Sequence, residues 1–387
     1  MPTPRDRLAR HATFVVFAVQ GLSFAALLTQ VATLQHKHEL DEGDLTLLLL
    51  VIPVLAGAGS VAAGSLAARG GSKRLLRLAQ PTVAVAVVGA GLAPSLPVLV
   101  AALVLFGLAV GAVDAGMNMQ GVAVERRYGR PVLNGFHALW SVASLAGALW
   151  ASAAAALDLS LALTLAIPMA LAVAGSLYAG PSLCTHLEER VETVKAGTRF
   201  PWRPIIPLCL AMAFLYVGDA AVSNFSTVYM QDILTAAPSV VPLAYAAYQA
   251  TTLLVRAGGD LAVRRYGPAA IVRIGGAIAT LGFLGVLLAP SQPVAIVAFG
   301  LTGMGLAVVA PQSFSAAGRL DPAGTGVAIA RVNLFNYVGF IVGAALVGGI
   351  ADAADMRVAF AAPLVLAAGI ITLARGFQPS AAPATRA

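Results

Sequence analysis

Residues 98–121 read Val98-Leu-Val-Ala-Ala-Leu-Val-Leu-Phe106-Gly-Leu-Ala-Val-Gly111-Ala-Val-Asp114-Ala-Gly-Met-Asn118-Met-Gln-Gly121, an apolar run with one acid inside it. A bilayer core about 30 Å thick is crossed by roughly 20 apolar residues in a helix, so this stretch is long enough to span one. Comparable runs, bounded by charge or by Pro and Gly, fall near 12–34, 45–68, 78–97, 134–156, 160–180, 205–228, 239–258, 269–290, 293–314, 328–351 and 357–376. Together they predict an all-α membrane protein of twelve transmembrane helices. Composition points the same way: 59% of the 387 residues are hydrophobic and 11% charged, whereas soluble proteins carry about 25% charged residues. No small-residue cleavage pattern follows the first run, which is therefore read as a retained helix.

The basic residues give a topology. With both termini in the cytoplasm, 22 of the 24 Lys and Arg residues fall on the inner side, and only Lys37 and Arg357 lie outside. That is the positive-inside pattern of an inner-membrane protein. The net charge of +7 is spread over short clusters between apolar runs, which argues against nucleic acid as a partner. The inner set includes Arg256, Arg264 and Arg265 in the second half and Arg386 in a short tail. The longest polar stretch, with Glu188, Glu189, Arg190, Glu192, Lys195 and Arg199, separates the sixth run from the seventh. It divides the chain into a six-helix bundle over 1–180, a cytoplasmic linker over 181–203 and a second bundle with its tail over 204–387.

Internal repetition supports that division. Phe106-Gly-Leu108 is answered by Phe299-Gly-Leu301, and Asn134-Gly-Phe136-His137 by Asn333-Leu-Phe335-Asn336. After the second run stands Gly64-Ser-Leu66-Ala-Ala-Arg69-Gly-Gly71, and after the eighth Gly259-Asp-Leu261-Ala-Val-Arg264-Arg-Tyr-Gly267. The shared order implies two pseudo-symmetric six-helix repeats, the arrangement of many secondary transporters.

These loops resemble the signature that members of the major facilitator superfamily carry after the second helix, with Ala68 where the signature has its acid. Asp114-Ala-Gly-Met-Asn118 followed by Leu133-Asn134-Gly-Phe136-His137-Ala-Leu-Trp140-Ser141 is similar to the fucose permease-like sugar:proton symporters. It is closer still to a bacterial branch of that group, in whose seventh-helix frame Asp219-Ala-Ala-Val-Ser-Asn224-Phe225-Ser226 falls. The superfamily likeness spans nearly the whole chain, and the subgroup motifs about fifty residues. Fucose-type symporters also carry an acid in the first helix, where this chain has Gln20 and Gln30. The Gly-Pro signature of drug:proton antiporters is absent from Ser144-Leu-Ala-Gly147-Ala-Leu-Trp150.

Acids inside a membrane cost at least ~2.5 kcal/mol each and are functional candidates by default. Asp114 and Asp219 are the two among 17 acids that lie clearly within apolar runs. Burial and alternating hydration would let such a carboxylate take up a proton on one side and release it on the other, and His137 is a third candidate for proton exchange. The alternative roles are structural: Asp114 as a partner of Asn118, His137 or a basic residue, Asp219 as a cap on a break beside Gly218, and His137 as a hydrogen-bonded packing residue. A polar solute needs hydrogen-bonding and aromatic partners, for which the candidates are Gln20, Asn118, Trp140, Asn224, Tyr245, Gln249, Gln312, Asn333 and Asn336. Gly107, Gly111, Gly300 and Gly305 would permit close helix approach. Arg69, Arg74, Asp260 and Arg264 occupy loops that the resemblance implies to be cytoplasmic gates.

No phosphate-binding Gly-x-x-x-x-Gly-Lys-Ser/Thr run, metal-ligand spacing or catalytic triad pattern occurs, and Cys184 and Cys209 suggest neither a disulfide nor a zinc site. The expectation is a non-enzymatic, monomeric carrier without cofactor, taking a small-molecule substrate, sugar-like or otherwise polar, with protons. Its alternatives are a proton-driven exporter of a metabolite or antibiotic and a non-transporting receptor or scaffold.

Overall fold

Inside hydrocarbon every peptide N–H and C=O must find its partner within the segment, so each apolar run closes into a helix. The computed structural model describes residues 2–40, 42–190, 201–237, 240–321 and 323–378. Glu192, Lys195 and Arg199 of the expected linker and Arg386 of the tail lie outside the described residues. Among those described there is no strand. The first six crossings are α1 Pro4–Leu28, α2 Glu42–Gly70, α3 Ser72–Leu92, α4 Leu96–Tyr128, α5 Leu133–Ala156 and α6 Leu161–Ala179. The second six are α7 Ile206–Val228, α8 Leu243–Tyr266, α9 Pro268–Leu288, α10 Gln292–Leu320, α11 Val327–Ala353 and α12 Met356–Phe377.

Eleven of the helices are long and apolar enough to cross a membrane. The exception is α8, whose hydropathy is lowered by Arg256, Asp260, Arg264 and Arg265. Several boundaries differ from the apolar runs, most informatively in α1 and α10. Helix α1 begins at Pro4 rather than residue 12, because Thr3 and Asp6 form a reciprocal capping box ahead of the apolar part. It stops at Leu28, and a separate short helix, Val31–Lys37, follows. Helix α10 extends to Leu320 but is interrupted at Ala307–Val308, just before Pro311.

The two halves pack alike. In the first, α1 packs on α5 and α6, α4 on α2 and α3, and α3 on α6; in the second, α7 packs on α11 and α12, α10 on α8 and α9, and α9 on α12. Turn geometry repeats too: Gly71 (φ 79°, ψ 156°) and Gly267 (φ 80°, ψ 156°) make the same left-handed turn into α3 and α9, a conformation only glycine adopts freely. Ser95 and Ser291 precede α4 and α10 with matching extended backbones. Close approach is also shared. A Cβ on Gly111 would lie 1.8 Å from the Ala56 carbonyl oxygen, and one on Gly305 would lie 2.4 Å from that of Gly275.

Between the halves, α2 packs on α11 and α8 on α5, one pair being the pseudo-symmetric counterpart of the other. The side-chain hydrogen bonds that join the halves among the described residues all lie toward one end, the end carrying most of the Arg residues and called here the basic end. Lys37 and Arg357 mark the other end, where they bond carbonyls at the C-termini of α3 (Gly91) and α9 (Leu287, Ala289). Cations favour that position against the helix dipole.

Candidate functional site

Asp114 lies fourteen residues before Tyr128, about 21 Å from the basic end of α4. Its Oδ1 accepts a 3.0 Å hydrogen bond from Gln20 Nε2 of α1. Its Oδ2 accepts one from the Tyr337 hydroxyl of α11 in the other half. Asn118, one turn along α4, donates to the Asp114 carbonyl at 2.8 Å, and its own Oδ1 is buried without a partner. Gln20 thus acts as a hydrogen-bond donor to the acid of α4.

A second cluster surrounds Asp219, whose Oδ1 accepts a 2.5 Å hydrogen bond from the Tyr248 hydroxyl of α8. Helix α7 runs unbroken through Gly218 and Asp219, so the cap reading of this acid has no break to cap. Arg256, also on α8, donates from Nη1 to Ser141 Oγ of α5 at 2.9 Å. His137 is buried, stacked on Phe314 and edge-on to Phe17, and its Nε2 has no hydrogen-bond partner.

The remaining candidates separate. On α8, Tyr245, Gln249, Arg256 and Asp260 share one face, because steps of 4, 7 and 4 residues return to within about 40° at 100° per residue. Near the basic end that face meets α5; farther along it Tyr245 and Gln249 are exposed. Asn224 is exposed, Asn336 is half-buried, and Trp140 packs against Phe24 with ring centroids 6.0 Å apart. Asn333 is buried in the α2–α11 contact, donates to Ser60 Oγ at 3.1 Å and lies one turn along α11 from Tyr337, the partner of Asp114. Gln312 follows the interruption of α10 and lines a cavity of about 500 Å³ at the basic end, with Glu125, Arg130, Arg264 and Arg319.

At the basic end, Asp260 accepts hydrogen bonds from Asn134 N (3.0 Å), Asn134 Nδ2 (2.9 Å) and Gly135 N (3.1 Å), capping the N-terminus of α5 from across the interface. Arg264 donates to the Pro131 carbonyl at 3.0 Å. Arg69 and Arg74 are exposed and make no hydrogen bond across the interface. Arg126, which the sequence reading passed over, donates to the Gly318 carbonyl on α10 and to the Glu189 carbonyl beyond α6.

The residues just after α6 are anchored as well. Arg5 grips the Glu188 carboxylate with Nε (3.1 Å) and Nη2 (2.8 Å). Burial works to raise the Glu188 carboxyl, but the Thr185 amide, Arg5 and the Thr185 hydroxyl outweigh it and hold the group below its ordinary range. Glu189 is buried on Ser72 and Gln120, and there burial prevails and pushes its carboxyl up.

Sequence reasoning missed Tyr248, Tyr337 and Ser141 as partners and treated Arg256 as a topology charge. The signal for Arg256 was available: it lies inside the eighth apolar run and not in the loop after it.

Comparison with known proteins places this geometry. The model of the Major Facilitator Superfamily matches residues 208–386. A transporter of Sinorhizobium fredii, y4wD, is 29% identical over 361 residues, covering 92% of this chain and 95% of that protein. Among solved structures, FucP, the E. coli fucose:proton symporter, in its outward conformation superposes with a TM-score of 0.80 at 14% identity, covering 95% of this chain and 98% of that one. The human organic anion transporter MFSD10 superposes with a TM-score of 0.77 at 13% identity, covering 96% of this chain and 100% of that one. The chain thus has the fold of these transporters, its second half matches the Major Facilitator Superfamily, and over nearly its full length it is similar to transporter relatives.

Proposed function

We propose that the protein is a secondary active carrier that moves a small polar solute across the inner membrane by alternating access, coupled to protons through Asp114. The basic end faces the cytoplasm in this reading, with both termini on that side, and the structure corresponds to the outward-facing state. A sugar-like solute is favoured by the likeness to FucP, a fucose:proton symporter.

One observation carries the reading. The Asp114 carboxylate takes one hydrogen bond from its own half, from Gln20, and one from the opposite half, from Tyr337. Separating the halves at the basic end removes the Tyr337 bond, so the proton affinity of Asp114 differs between the two states. A ligand with different affinities for two states shifts the balance between them, and here that ligand is the proton. Asp219 has its partner Tyr248 within the same half and lacks this link to opening.

Proteoliposomes with an imposed pH gradient test the coupling. Asp114→Asn is expected to abolish gradient-driven accumulation, by about 100-fold or more, given contributions of 10²–10⁴ from a positioned proton-transfer group, while solute exchange at equal pH persists. Accumulation that survives in Asp114→Asn removes this acid from coupling.

A further inference from the structure

Arg256 contributes one hydrogen bond to the α5–α8 contact, yet neither the proton reading nor the Asp260 cap explains its buried, unpartnered Nε. It lies ten residues before Tyr266, about 15 Å into α8, at a depth where an arginine is costly unless something compensates it. Among the described residues, no carboxylate lies within 4.0 Å of it. Nη1 is held by Ser141, whereas Nε is buried and has no partner. One turn from Ser141 on α5, His137 is more than nine-tenths buried, and its Nε2 is likewise buried and unpartnered. Two orphaned nitrogens thus flank Ser141, one on the α8 arginine bonded to it and one a turn away on α5, and the same face of α8 continues into the exposed Tyr245 and Gln249.

We propose that this site binds a solute bearing a carboxylate, a sugar acid or a related hydroxy acid, with Arg256 as its anchor. The Nε–Nη2 edge of a guanidinium matches the two oxygens of a carboxylate side-on, and Nη1 on Ser141 fixes that edge in place. His137 Nε2 supplies the adjacent polar partner, while Tyr245 and Gln249 face the hydroxyl-bearing remainder. A neutral sugar would leave the buried Arg256 Nε without a charged acceptor. The inference rests on the carrier reading above and narrows its substrate class.

The test is equilibrium binding to the purified full-length protein, at fixed pH and ionic strength, with gluconate and galacturonate set against glucose and galactose. Each acid is expected to bind at least tenfold more tightly than its neutral counterpart. Arg256→Gln should lose at least tenfold for the acids and little for the neutral sugars. Arg256→Lys, which keeps the charge without the fork, should fall between them and decides the matter if the Gln variant does not fold. Equal binding of acid and neutral sugar, absence of acid binding, or unchanged acid affinity in the folded variants overturns the proposal. Binding needs no gradient, so wild-type protein that binds gluconate as expected but does not accumulate it under an imposed pH gradient sinks the coupling scheme and leaves this inference standing.

Discussion

Glu188 and Arg5 show how a single ion pair ties the segment after α6 to the start of α1. Because its carboxyl is held below the ordinary range, Glu188 binds its proton less readily in the folded chain than in the unfolded one. It therefore adds stability above the unfolded value, about 4.3 for a glutamate, and loses that contribution as the pH falls through its lowered folded value. Glu188→Gln should melt below the wild type at pH 7, with the gap closing as the pH drops below about 4, which thermal unfolding followed by tryptophan fluorescence would measure. A gap of constant size at both pH values would assign the effect to packing instead. At this scale the sequence is a partial guide. Asp114 and Asp219 stand out because an acid among aliphatic residues has a visible cost. Tyr248 and Tyr337 do not, since a tyrosine in a membrane helix serves packing, an interface or a hydrogen bond with the same letter. Asn333 carries a related ambiguity: an amide at mid-depth must find a partner, and the sequence does not say whether that partner is a solute or Ser60.

Among the elements, the crossings of α2 with α4 and of α9 with α10 depend on the absence of a side chain. At Gly111 an added methyl would meet the Ala56 backbone, which has no rotamer by which to yield. Gly111→Ala should destabilise by about 1–3 kcal/mol, the cost of overpacking a tight core. Gly258 has nothing within 4 Å of an added Cβ, so Gly258→Ala should be neutral or stabilising by up to about 1 kcal/mol through helix propensity. Melting temperatures of the two variants measured side by side test both statements, and equal losses would refute the steric account. Helix existence was legible because apolar length is what a bilayer demands. Helix ends were less so: α1 starts in a charged turn that Thr3 and Asp6 cap, and α8 continues through polar residues past the end of its apolar run. The clearest repeat lies in turns rather than spans, Leu92-Ala-Pro-Ser-Leu-Pro97 against Leu288-Ala-Pro-Ser-Gln-Pro293. A search confined to the membrane runs passes over it.

For the whole molecule, the decisive contact is the one that keeps the basic end shut. The Asp260 cap on α5 combines charge-assisted hydrogen bonds with a favourable helix dipole, and its loss is worth about 2 kcal/mol, or roughly 30-fold in the ratio of closed to open. Asp260→Ala should therefore raise thiol labelling of a cysteine placed at Val122, which lines the basic-end cavity, by a factor of that order. Cys184 and Cys209 are both buried, and burial pushes the Cys184 thiol up to about 12, so background labelling is low. An unchanged labelling rate would mean that other contacts hold the end closed.

The acid that makes this cap has no twin. Its counterpart in the first half is Ser65, which bonds only the carbonyl of Ala62. Hence the two seams between the halves are chemically unlike: α5 meets α8 through Asp260, Arg256 and Arg264, whereas α2 meets α11 through Ser60 and small residues. Salt acts on the charge-assisted bonds of the first seam. That seam is the clasp of the closed basic end, so spin labels placed across α5–α8 should separate progressively as ionic strength is raised.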